Sequence, residues 1–229
     1  MRVMILAAGR GERLRPLTDR KPKPLIEVGG KPLIVHHLEK LAIAGFTDVV
    51  INLGWLGEQI SAALGDGERF GLRLHYSPEP PGALETAGGI VNALPLLGDA
   101  PFAVISGDIL CDYPFDRLTA TRLETLGHLV LVDNPAHHPK GDFGIDKGLA
   151  SRTTPNKLTF SGIAVFSPEL FRSLTPRVRP LRPVLEEAID KQQISAEHFR
   201  GRWSDVGTPE RLRSVNHWRG RVFFSEKEG

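Results

Sequence analysis

The chain has 229 residues, 41% hydrophobic and 24% charged, which excludes a disordered or fibrous segment and suits one α/β domain with a full core. A formal charge of +2 with no massed basic block argues against a nucleic-acid partner. The single cysteine, Cys111, can form no internal disulfide and offers no CxxC pair for zinc or redox work, and the six-residue apolar run after Arg2 is too short for a signal peptide or a membrane span, so the expectation is a cytoplasmic protein with no membrane partner.

Taken in order, Val3–Leu6 reads as a buried strand. Residues 32–44 read as a helix, with proline near its start and Gly45 as its stop. Residues 48–52 form a second strand, 56–64 a helix closed by Gly65, 72–76 an alternating third strand and 86–94 a short helix. The apolar stretch 102–105 is a fourth strand and 129–132 a fifth. Residues 134–156, rich in Pro, Gly, His, Lys and Asp, read as an excursion from the sheet carrying a small hairpin. Residues 158–166 return as a strand, 181–191 as a helix, 198–206 as a short strand and 209–218 as a final helix. The end, 223–229, is expected to fray. Strand–helix alternation with continuously apolar strands means a doubly wound, mostly parallel open sheet covered on both faces. Ligands of such sheets bind beyond the carboxyl ends of the strands, so Gly9 and Asp108 should share one rim.

The strongest local signal is LAAGRGERLRPLTDRKPKPL at residues 6–25. A strand runs into a glycine turn whose N–H groups can converge on phosphate oxygens. Leu14 stands where a dinucleotide fingerprint needs glycine, which disfavours an NAD-dependent oxidoreductase, and no Walker A lysine follows. Arg13, Lys21 and Lys23 beside the turn suit a polyphosphate, with Pro22 and Pro24 restricting the chain around Lys23. This pattern resembles the signature of the nucleotidyltransferases that act on sugar 1-phosphates, which have a Rossmann-like fold. The resemblance implies that Gly9 and Gly11 wrap the triphosphate, with Ala8 and Glu12 in the same turn. It also implies that Arg13 and Lys23 bind phosphate oxygens and stabilise the transition state; Arg15 and Lys21 add positive field.

Asp108, in Ser106-Gly107-Asp108, ends the fourth strand, where a carboxylate is well placed to hold a metal; Asp205, in WSDVGT, is the second acid. Mg²⁺ takes one or two carboxylates with water and phosphate. The resemblance implies that Asp108 and Asp205 hold it jointly. A phosphate monoester is largely dianionic at pH 7 and needs no general base, which agrees with the lack of a Ser-His-Asp or Cys-His constellation. The barrier is repulsion between anions, which Mg²⁺, Arg13 and Lys23 would reduce.

The segment SPEPPGALETAGGI at 77–90 fits a rigid loop opening a helix. By the resemblance it meets the nucleobase through Thr86 and Gly88, with Glu79 and Ala83 as weaker candidates. This chain reads LETAG where the family often reads LGTAG, so Glu85 replaces a glycine. The strings GHLVLVDNPAHHPKGDFGI, LTFSGIAVF and HFRGRWSDVGTPERL resemble the branch of the family that takes N-acetylmuramate 1-phosphate and UTP in cell-wall recycling. That branch implies a sugar pocket lined by Gly141, Asp142, Phe143 and Thr159, and a cation for the lactyl carboxylate, with Lys140, Lys157 and Arg202 as candidates. His137 and His138 read as loop residues, His36 and His37 as structural, Cys111 as a packed thiol, and Trp203 and Phe160 as core.

The chain is therefore expected to be a single nucleotidyltransferase domain. Residues 1–110 would serve mainly the nucleotide and 111–220 mainly the sugar, with 221–229 a tail. The partners are UTP and a sugar 1-phosphate, and the protein is expected to be a monomer or weak homo-oligomer. Mannose, glucose or N-acetylglucosamine 1-phosphate is the alternative acceptor. A non-catalytic nucleotide-sugar sensor is a reading of another class, and it predicts loss of one of Arg13, Lys23, Asp108 or Asp205, all of which are present.

Overall fold

In the computed structural model, residues 1–80 and 84–225 are described, with backbone alone from 219 to 225. The first half gives β1 (Val3–Leu6), β2 (Glu27–Val28), β3 (Lys31–Pro32), α1 (Leu33–Ile43), β4 (Asp48–Leu53), α2 (Gly57–Leu64), β5 (Arg73–Pro78), α3 (Glu85–Leu97) and β6 (Phe102–Ser106). The second half gives β7 (Ile109–Cys111), α4 (Asp116–Ala120), β8 (Gly127–Val132), β9 (Gly144–Asp146), β10 (Leu149–Ser151), β11 (Thr159–Phe166), α5 (Leu181–Asp190), β12 (Ile194–Phe199), β13 (Trp203–Asp205) and α6 (Pro209–Ser225).

One nine-stranded sheet, in the order β5-β4-β1-β6-β11-β8-β12-β10-β9, forms the frame. β5, β4, β1 and β6 are mutually parallel, as are β8 and β12; β11 runs against both of its neighbours. The sheet is thus a mostly parallel, open α/β sheet. The central strands β1, β4 and β6 are apolar on both faces because both faces are covered. Val3, Ile5, Val49 and Ile51 point into a core shared with Leu38 of α1 and Ile60 of α2. Met4, Val50 and Val104 point into the opposite core with Ile90 of α3 and Leu185 of α5. Such two-sided burial is what continuous apolar strands predict. Among the described residues no helix is long and apolar enough to cross a membrane.

Four features differ from the sequence reading. The 134–156 excursion does not leave the sheet: its hairpin, β9–β10, extends the edge through Leu149 opposite Ser195. Residues 198–206 are not one strand, because the charged turn at Arg200–Arg202 separates β12, parallel to β8, from β13, which pairs with β7 instead. The final helix passes Trp218 and continues to Ser225, so the tail is helical up to that point, and 226–229 lie outside the described residues. The short elements β7 and α4 and the β2–β3 ribbon were not expected. Two to five residues carry too little periodicity to be read.

His37, on α1, is 2% exposed and stacks 6.2 Å from Phe115. Its Nε2 has no hydrogen-bond partner among the described residues. Burial, then the nearby charges of Lys40 and His36, push its pKa down from 6.5 to about 3, against a smaller upward pull from Asp108. The folded state therefore needs a neutral imidazole, while the unfolded chain takes up a proton below its ordinary pKa. The stability contributed is full above pH 6.5 and is lost as pH falls toward 3, with a limiting slope of about 1.4 kcal/mol per unit. We expect His37→Leu to flatten the fall in urea-unfolding free energy between pH 6.5 and 4. Parallel curves for the two proteins would show that another group sets the acid limit.

Candidate active site

The loop after β1 is fixed by one buried side chain. Asn52, at the end of β4, accepts the Ala7 N–H at 2.7 Å and donates to Glu79 Oε1 at 2.6 Å. Glu79 Oε2 in turn accepts the Leu84 N–H at 2.8 Å. The carboxyl ends of β1, β4 and β5 are stapled together by this relay, which sequence reasoning missed at Asn52. Gly11 adopts φ +69°, and a Cβ there would meet Thr18 Cγ2 at 3.0 Å and Lys23 Cβ at 3.2 Å. Only glycine satisfies both the turn and the close approach of Lys23. Thr18 Oγ1 closes the loop by donating to the Gly11 carbonyl at 2.9 Å.

The expected acids come together through a short ribbon. β13 pairs antiparallel with β7, setting Asp205 opposite Ile109, and the Val206 N–H donates to the Asp108 carbonyl at 2.6 Å. Lys23 forms an ion pair with Asp108 and is 12% exposed. Asp205 Oδ1 lies 3.1 Å from both Arg211 Nη1 and His137 Nε2, in contacts too poorly aligned to count as hydrogen bonds. Arg13 reaches the same group: a Cβ on Gly207 would lie 3.1 Å from Arg13 Nη2, 2.7 Å from Asp205 Oδ2 and 2.3 Å from Arg211 Nη2.

Two clefts flank this group. The smaller, of about 290 Å³, is lined by Ala8, Gly9, Gly11 and Lys23 from the loop and by Asn52 and Glu79 behind it. The larger, of about 700 Å³, takes in Arg13, Asp142, Phe143, Thr159 and Asp205. Leu6, Glu85, Thr86, Ser106 and Asp108 border both. Gly9 and Asp108 share one rim, as the topology required.

Other residues fall elsewhere. Glu12 borders neither cleft; its side chain is exposed and pairs with Arg10 at 3.0 Å, leaving only its backbone near the turn. Gly88 also borders neither. It is buried in α3, where a Cβ would lie 2.1 Å from the Arg177 carbonyl oxygen, so it serves packing. Gly141 (φ +61°) lets its loop fold against Asn134 and Lys157, behind the cavity rather than in its wall. Ala83 lies outside the described residues.

Asp142 and Thr159 are engaged in the cavity wall. Asp142 accepts from the Phe160 N–H at 2.9 Å and from Arg182 at 3.0 Å, and faces His138 at 3.2 Å. Thr159 donates to Asn134 at 2.8 Å. None of Lys140, Lys157 or Arg202 borders the cavity; Arg202 pairs with Asp112 at 2.6 Å and Lys157 lines a separate groove. The cations that do border it are Arg13, Arg182 and Arg211, with the imidazoles of His137 and His138. The two histidines are thus cavity residues, not loop filler, and Trp203 and Phe160 face the cavity while packing on the core. Arg211 carried a sequence signal that went unread. It is a basic residue in the first turn of α6, where the helix dipole disfavours a cation unless an acid compensates.

Among the described residues no three His, Cys, Asp or Glu side chains gather closely enough to hold a metal by themselves. Two carboxylates at one cavity, with room for phosphate oxygens and water, are a donor set that fits Mg²⁺.

A family model for nucleotidyl transferases matches residues 2–148, and the chain belongs to that family. Over 223 residues it is 50% identical to an N-acetylmuramate alpha-1-phosphate uridylyltransferase of Neisseria meningitidis serogroup B, covering 94% of this chain and 96% of the relative. It is 34% identical over 227 residues to a mannose-1-phosphate guanyltransferase of Aspergillus fumigatus, covering 91% of this chain but 61% of that longer protein. The fold is that of HddC from Yersinia pseudotuberculosis, solved with GMP-PN, at TM-score 0.78 and 21% identity, covering 95% of this chain and 98% of that one. It is likewise that of a UDP-glucose pyrophosphorylase solved with UDP-glucose, at TM-score 0.75 and 19% identity, covering 96% and 98%.

Two glycine substitutions separate packing from chemistry. Gly88→Ala would meet backbone and should cost about 1–3 kcal/mol in urea unfolding. Gly207→Ala would meet only the tips of Arg13, Arg211 and Asp205, which can move, so its stability should change by less than about 1 kcal/mol while pyrophosphate release slows by about tenfold or more through misplacement. Equal effects on stability and rate in the two variants would contradict this division.

Proposed function

We propose that this protein transfers the uridylyl group of UTP to N-acetylmuramate 1-phosphate, giving UDP-N-acetylmuramate and pyrophosphate, in cytoplasmic peptidoglycan recycling. The observation that carries the reading is the meeting of the two clefts at Asp108 and Thr86, with Lys23 on one side and Asp205 on the other. The 50% identity to the Neisseria enzyme, over 94% of this chain, supports the choice of base and sugar. On this reading the chain is one domain acting as a monomer or weak homo-oligomer. Residues 1–110 mainly hold the nucleotide in the smaller cleft, and 111–220 mainly hold the sugar in the larger.

The loop amides at Gly9 and Gly11 cradle the polyphosphate, and Lys23 lies against it. Arg13 faces the other side of the junction, where the α-phosphate meets the incoming sugar phosphate. That phosphate is already a dianion and attacks without a base, so the protein's work is orientation and relief of anion repulsion. Asp108 and Asp205 would hold Mg²⁺, which supplies Lewis-acid stabilisation of the charge on the phosphoryl oxygens. Lys23 pairs with Asp108, so Lys23 would be available to a phosphate oxygen where Asp108 held the metal.

A pyrophosphate-release screen tests the reading. UTP with N-acetylmuramate 1-phosphate should be preferred over GTP with mannose 1-phosphate and over UTP with N-acetylglucosamine 1-phosphate. A preference for the GTP and mannose pair would move the protein to the guanylyl branch. Asp108→Asn should keep its circular dichroism and melting curve while kcat falls by ~10²–10³-fold. Unchanged turnover would exclude Asp108 as a metal ligand.

A further inference from the structure

Glu85 stands at the point where the two clefts join, bordering both. It opens α3 with φ +55°, the left-handed region that glycine enters freely and a side chain does not. Its residue is exposed, and its carboxylate makes no hydrogen bond or ion pair within the described residues. The other charged or amide groups of the smaller cleft are engaged: Asn52 with Ala7 and Glu79, Glu79 with Leu84, and Lys23 with Asp108. A strained carboxylate at a substrate junction, with no structural partner, is a poor choice for stability. Strain of this kind persists at ligand-binding positions when the side chain has work there.

A carboxylate repels phosphate, so Glu85 does not belong to the polyphosphate cradle. No third acid gathers with it and Asp108 to make a metal centre among the described residues. What it offers is two acceptor oxygens for neutral O–H or N–H donors. Resting on the transferase reading above, we infer that Glu85 is a specificity-determining residue whose carboxylate accepts hydrogen bonds from a neutral donor of a bound substrate at the cleft junction. The donor is a hydroxyl or amide N–H, and it comes either from the acceptor sugar or from the nucleoside. Removing the carboxylate therefore weakens one substrate, while replacing it by glycine relieves the backbone.

The test uses the full chain with Glu85→Gly and Glu85→Gln beside wild type. Melting curves are recorded, and initial rates of pyrophosphate release are measured with UTP and N-acetylmuramate 1-phosphate varied in turn. Glu85→Gly should melt at or above the wild-type temperature, by up to ~2–4 °C. It should also lose ~10–100-fold in kcat/KM for one substrate, chiefly through KM. Glu85→Gln, which keeps one acceptor oxygen, should fall between. A rise in acceptor KM assigns the donor to the sugar; a rise in UTP KM assigns it to the nucleoside. With an active wild type, kcat/KM within about twofold for both substrates in Glu85→Gly overturns the inference. A loss of rate that tracks a lowered melting temperature overturns it too, since that is a structural role. A wild-type protein that releases no pyrophosphate from these substrates overturns the transferase reading, and the role of Glu85 with it.

Discussion

The pairing of β7 with β13 is the constraint on which the rest of the site depends. β6 ends at the sheet rim, and the chain turns at Gly107 and Asp108 straight into β7. Residues from near the end of the sequence then lie antiparallel along it, and the Val206 N–H closes on the Asp108 carbonyl at 2.6 Å. Both acids are positioned by main-chain hydrogen bonds, which side-chain motion cannot undo. The same ribbon presents Trp203, whose indole N–H donates to the Ser161 carbonyl at 2.9 Å and ties the ribbon to β11. The second half of the chain is thereby locked onto the first at the one place where their clefts meet.

That junction concentrates charge of both signs. Lys23 and Asp108 sit on one side; Arg13, Arg211, His137 and Asp205 sit on the other. Taking such groups out of water is costly, and each cation lowers the cost for the acid beside it. The arrangement also leaves something unfinished. Among the described residues, two buried guanidinium nitrogens of Arg211 have no hydrogen-bond partner and Asp205 Oδ1 lacks a well-aligned donor. Buried polar groups are normally satisfied. On the proposed reading, the site receives two phosphorylated substrates and a divalent ion, and such groups would be satisfied on binding. The two partnerless guanidinium nitrogens of Arg211 are donors suited to an anion.

Much of this was legible in the sequence, and the parts that were not share a cause. The strands could be read because sheets covered on both faces need uninterrupted apolar runs, and Val3–Leu6 and Phe102–Ser106 supply them. Asp108 could be read because strand ends define the rim. Direction could not be read. Lys140, Lys157 and Arg202 were equal on charge to Arg182 and Arg211, and only the fold decides which of them enters the cavity. Glycines raised the same difficulty. Gly11 is there for the turn and for Lys23, whereas Gly88 and Gly141 let backbone or side chains pack behind the site. The sequence shows a glycine in each case but not what approaches it. The short β7 and β13 were invisible for want of length. Their pairing, the most consequential in the molecule, joins segments that no local pattern connects.

Local misfit is therefore informative only when combined with place. Among the described residues, four other than glycine have positive φ: Leu56, Glu85, Lys147 and Gln192. Leu56 precedes α2, Lys147 sits in the turn between β9 and β10, and Gln192 follows α5. Each of these three makes a turn between elements and borders neither cleft. Their strain is accounted for by chain reversal. Glu85 also opens a helix, but it alone of the four faces both clefts. The same distinction applies to Arg211, a cation at a helix N-terminus that would be a simple cost on a solvent face. Here it lies against Asp205 at the cavity wall. Sequences agree with their folds at most positions, and the disagreements that survive tend to mark work being done. In this protein, those that border a cleft converge on a single junction.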